Sequence, residues 1–139
     1  MSDIQDFFGK LKKITDKDCR YKEEAYLFVM AALSRTVKSL QAPRHIKGNE
    51  LLEGIRREAE EQYGPMAQTV FAHWGIKNSL DFGHIVFNMV HEGILSKTET
   101  DSLEDFKDAI FFQKLFDALE GYRLRDEEKT LKGISKITS

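Results

Sequence analysis

Between Pro65 and Leu95 the chain passes from one apolar run to another across the short break Gly75-Ile76-Lys77-Asn78. Pro65, directly after Gly64, opens the first run, which carries Met66, Ala67, Val70, Phe71 and Trp74. Ser79 can cap the second, Leu80 to Glu92, which carries Phe82, Ile85, Val86, Met89 and Val90. Two helices joined by so short a turn must pack at an angle, as in helix-turn-helix units. Gly93 stops the second run, and a polar stretch from Ser96 to Asp101 follows.

The same helical period runs through the rest of the chain. Ile4, Phe7, Phe8, Leu11 and Ile14 share a face of a first helix over 3–14, with Ser2 and Gln5 as its capping box. A second helix over 22–40 carries a wide stripe from Ala25 through Phe28, Val29, Ala32 and Leu33 to Leu40, so it is expected to be central. Pro43 ends it. A third begins at Asn49, buries Leu51, Leu52, Ile55, Ala59 and Tyr63, and stops at Gly64. Ser102 and Asp105 can start a sixth, to about Tyr122, around Phe106, Ile110, Phe112 and Phe116.

These readings predict a mainly α fold: a compact bundle of about six helices in a single domain over 1–122. Its C-terminal half is helix-turn-helix or winged-helix-like, with room for a short β-hairpin between Ile94 and Asp105. The charged segment 123–139 is poor in large apolar groups and is expected to form a flexible tail. Only two prolines and nine glycines interrupt 139 residues, and ten phenylalanines supply bulky core material.

Charge narrows the function classes. With 21 basic and 23 acidic residues the net charge is −2, and the second helix of the 65–95 unit offers Asp81, Asn88 and Glu92 but no Lys or Arg. A helix reading DNA presents cations and amides to phosphates and base edges, so nucleic-acid binding is disfavoured despite the topology. One cysteine, Cys19, excludes an intrachain disulfide. It fits a reducing, cytoplasmic setting, and no apolar run approaches membrane-spanning length.

No Gly-rich phosphate loop, nucleophile elbow or Cys pair is present, and the carboxylates form no distinct acid–base couple. His84 and His91 lie seven residues apart, too far to share one ion along a helix, so no metal or other cofactor is expected. Two loop clusters stand out instead: Arg20-Tyr21 and His45-Ile46-Lys47-Gly48. If they meet, Arg20, Tyr21, His45 and Arg56 would form a small cationic pocket for an anion; the alternative is that they simply cap helices.

Several segments together resemble a family of small uncharacterised bacterial proteins of about this length. They are Arg20-Tyr21 with Ala25 to Val29, His45 to Arg56, Trp74-Gly75-Ile76, Asp81 to Phe87, and Asp101-Ser102 with Asp105-Phe106. The resemblance implies a bacterial, intracellular, single-domain protein and transfers no activity and no catalytic residue. The leading expectation is therefore a non-enzymatic interaction or adaptor domain, with a protein partner or a second copy. It is motivated by the surplus of large apolar groups in the fifth and sixth helices. The alternatives are a winged-helix-like regulator and a small anion binder using Arg20 and His45.

Overall fold

The computed structural model describes residues 2–96 and 103–115. The protein is mainly helical, and among the described residues there is no strand. Five helices follow in order: α1 (Ser2–Lys17), α2 (Glu23–Lys38), α3 (Gly48–Tyr63), α4 (Ala67–His73) and α5 (Ser79–His91). A 3-10 turn, Gly64–Met66, joins α3 to α4, and a second, Leu103–Phe106, returns the chain across the bundle. The expected tail over 123–139 lies outside the described residues, as does the middle of the expected hairpin. Residues 94–96 are not strand, and the hairpin's far end is the 3-10 turn.

Local chemistry explains the boundaries. Gly64 closes α3 at φ 49°, Gly75 turns the chain at φ 90° and Gly93 follows α5 at φ 77°, a region L side chains rarely adopt. α3 starts one residue before the expected cap, because Glu50 reaches back to accept the Lys47 amide at 3.1 Å. α5 is capped by Asn78, whose side chain accepts the Asp81 amide at 3.2 Å, and not by Ser79.

Ser79 is used elsewhere. Its Oγ accepts the Asp108 amide at 2.9 Å and donates to the Asp108 carbonyl at 3.2 Å. The sixth helix expected from Ser102 is consequently interrupted. Residues 107–110 leave helical geometry, Asp108 caps Ile110 through its carboxylate at 3.1 Å, and helix resumes over 111–115.

α2 is central, packed against α1, α3 and α5, while α3 also meets α4. The core is a relay of rings. Phe28 touches Tyr63, Phe71 and Trp74; Phe71 continues to Phe82, and Phe82 to Phe111. Each such ring removed from water contributes about 1.5–3 kcal/mol.

The Leu103–Phe106 turn sits in a saddle of two glycines. A Cβ on Gly48 would come within 2.8 Å of Asp105 and 2.9 Å of Phe106, and one on Gly83 within 2.8 Å of Leu103 and 3.0 Å of Phe106. Phe106 is fully buried there, with its ring 6.5 Å from Phe87. The apolar surplus of α5 is thereby absorbed: Phe82, Ile85, Val86 and Met89 are all enclosed.

Candidate functional site

Arg20 and Tyr21 are brought together, within the turn between α1 and α2. Arg20 clasps Asp18 with Nε at 2.8 Å and Nη2 at 2.7 Å, and its guanidinium stands 5.1 Å from the centre of the Tyr21 ring. Asn88, on α5, donates to Asp18 at 3.0 Å and to the hydroxyl of Tyr26 at 3.0 Å. The Tyr21 hydroxyl donates to Asp81 Oδ1 at 2.5 Å, while Asp81 Oδ2 accepts the amides of Lys77 and Asn78. Lys22 donates its amide to the Trp74 carbonyl at 3.1 Å. Gly75 is required beneath this turn, since a Cβ there would collide with the Arg20 carbonyl oxygen.

The electrostatics follow from these partners. The Arg20 guanidinium, aided by Asn88, holds the Asp18 carboxyl well below the usual carboxylate range. Asp18 in turn raises the pKa of Arg20. Burial, and then the Asp81 carboxylate, push the Tyr21 hydroxyl above its ordinary value, and burial does the same to Tyr26. The turn is thus a closed polar clasp whose donors and acceptors serve one another.

His45 and Arg56 lie elsewhere. His45 lines a shallow cleft of about 360 Å³ with Leu33, Val37 and Pro43, next to Arg44. Arg44 is held by Glu50 at 2.7 Å, and lowers the Glu50 pKa to about 2. Arg56 forks between Glu53 and Glu60 along α3 and borders a cleft of about 330 Å³ with Lys107 and Lys114. None of the described clefts is lined by more than one of Arg20, Tyr21, His45 and Arg56. Each guanidinium has found a carboxylate within a few residues, so the chain spends these cations locally.

Two features escaped the sequence reading. One is a groove of about 580 Å³ between α2 and α3, bordered by Glu50, Glu53, Glu58, Glu61, Arg35 and Arg57. Glu58 is only 6% exposed, and it accepts from Arg35 at 2.9 Å and from Gln62. Thr36 and Gly54 let the two helices approach closely at this groove. Among the described residues no group of three His, Cys, Asp or Glu side chains is arranged to hold a metal ion.

The other is the outer face of α1. Leu11 and Ile14 are buried and Phe7 packs partly against the core, but Ile4 is 64% and Phe8 45% exposed. The five-residue stripe is wider than the surface α2 and α5 offer it, and its rim faces water. Beside Phe8 stands Gly9. Beyond its chain neighbours and its own helix backbone, no described atom lies within 4 Å of where its Cβ would be. The signal was the width of the stripe together with a helix-interior glycine.

On α5, Asp81 and Asn88 are both engaged in the clasp, so neither side chain is presented outward unpartnered. Among the described residues no helix is long and apolar enough to cross a membrane. No protein-family model matches the chain, and no curated protein or solved structure matches it.

Proposed function

We propose that this chain is a non-enzymatic, cytoplasmic interaction domain that engages a protein partner through the outer face of α1. The observation that carries the reading is the Ile4–Phe8 pair. It is two large apolar side chains one helical turn apart and both open to water, whereas among the other exposed large apolar residues, Leu27, Val37, Met66, Leu103 and Ile110, no two are one helical turn apart. Gly9 supports it, because a mid-helix glycine costs about 1 kcal/mol relative to alanine and no described residue packs into the space its side chain leaves. The three other helical glycines each lie against a neighbouring element.

Two other readings draw less support. An anion site at Arg20 and Arg56 would compete with the carboxylates already paired to both. A winged-helix regulator would read DNA with a helix that carries no lysine or arginine. A photoreactive side chain placed at position 8, and at the exposed position 13 as control, tests the proposal in cells expressing the protein. The expected outcome is one adduct of discrete mass from position 8 and none from position 13. Equal labelling from both, or none from either, removes it.

A further inference from the structure

We infer that the first turn of α5 is a coupler that makes the α1–α2 turn and the strap over 103–108 close and open together. Two residues of that first turn hold the two segments. Asp81 takes the Tyr21 hydroxyl on Oδ1, and Ser79 holds both backbone groups of Asp108. Successive side chains turn by about 100° around a helix, so positions 79 and 81 point about 200° apart. One faces a segment 60 residues earlier and the other a segment 29 residues later.

Both grips need the same local winding. Asp81 presents Oδ1 to Tyr21 while Oδ2 takes the amides of Lys77 at 2.7 Å and Asn78 at 3.1 Å. Those amides converge on Oδ2 only while 77–81 is wound as a capped turn, which the Asn78 side chain secures by accepting the Asp81 amide. The same winding sets Ser79, only 5% exposed, against the strap.

The attachments on either side leave little slack. The Trp74 carbonyl accepts the Lys22 amide at 3.1 Å, and a Cβ on Gly75 would lie 2.0 Å from the Arg20 carbonyl oxygen. On the strap, Phe106 fills the space over Gly48 and Gly83. When the first turn of α5 unwinds, Tyr21 loses its acceptor and Asp108 its partner in the same step. Conversely, withdrawal of Tyr21 frees the Asp81 carboxylate from the geometry that caps the helix, and so weakens the grip on the strap. A binder that stabilises either segment therefore stabilises the other, since coupling between two sites is reciprocal. The outer face of α1 takes no part in it.

Native-state proteolysis of the full chain tests this, with trypsin at limiting concentration and the sites of first cleavage read by mass spectrometry. Cleavage rates then follow the population of each locally open form. Lys107 reports the strap and Lys22 the α1–α2 turn, both side chains being exposed. Arg57, in the middle of α3, reports opening of the bundle as a whole. Tyr21→Phe should speed cleavage after Lys107, and Ser79→Ala cleavage after Lys22. Each change should exceed any change after Arg57 by about three- to tenfold, the effect of one hydrogen bond. Asn78→Ala removes the cap of α5, and should speed both sites.

Loss of either crossed effect overturns the inference, as do rates after Lys107 and Lys22 that rise only as much as the rate after Arg57. So does an Asn78→Ala variant that speeds one site and leaves the other unchanged. Should Ser79→Ala not fold, the Tyr21→Phe effect at Lys107 and the paired response to Asn78→Ala decide the matter.

Discussion

The α3–α5 seam and the outer face of α1 use the same residue types to opposite ends. At the seam Phe106 is fully enclosed, and Gly48 and Gly83 lack side chains because Phe106 and its neighbours occupy that space. On α1 Phe8 stands nearly half exposed, and the glycine beside it has open space where a side chain could be. The difference teaches how to separate residues that hold the bundle together from residues that the bundle holds out. A glycine explained by a neighbour is architecture. A glycine that no described residue approaches carries a conformational cost that the described packing does not explain.

The largest expected effect breaks the comparison if it fails. Phe106→Ala should lower stability by about 3–5 kcal/mol in chemical denaturation, whereas Phe8→Ala at dilute protein should stay within about 0.5 kcal/mol. Comparable losses from both would show that Phe8 belongs to the core after all.

The clasp sharpens the picture at intermediate size. Asn88→Ala strips the Tyr26 hydroxyl, on a fully buried side chain, of its donor and should cost about 1–3 kcal/mol. Asp18→Asn should show a distinct pH signature. Because the folded-state pKa of Asp18 is depressed, its contribution is complete above the unfolded value and is lost as pH falls. The Tm gap between wild type and Asp18→Asn should therefore be widest near neutrality and narrow below about pH 4. A gap that does not change with pH would mean that the Asp18 charge is not what Arg20 and Asn88 hold.

The smallest effect is a change of sign. Gly9→Ala should raise the stability of the monomer by up to about 1 kcal/mol, while Gly83→Ala, pressed against Leu103 and Phe106, should lower it. Thermal melts at low concentration read both.

Much of this architecture was legible in the sequence. Helical period and terminal signals placed α1, α2, α3 and α5 within a few residues, since those signals act within one or two turns. The interrupted sixth helix was not legible. Its break depends on Ser79, whose hydroxyl reaches a backbone 29 residues away, and such a partner leaves no local pattern.

The candidate sites divide in the same way. Arg20-Tyr21 stood out as a loop cluster, but Asp81 and Asn88 complete it from 60 to 70 residues further along, and nothing near Arg20 announces them. A pocket of Arg20, Tyr21, His45 and Arg56 requires groups from different segments to meet, and none of the described clefts is lined by more than one of them. Nearby carboxylates engage Arg20 and Arg56 first. For Ile4 and Phe8, periodicity identified the stripe correctly but could not say how much of its width the neighbouring helices would cover.

Asp81 belongs to two structures at once. One oxygen takes the amides that begin α5 and the other takes Tyr21. Nucleation of that helix and docking of a turn sixty positions earlier are thus a single cooperative event. The first turn of α5 should open to solvent exchange whenever the distant turn lets go, and each should protect the other while both are in place.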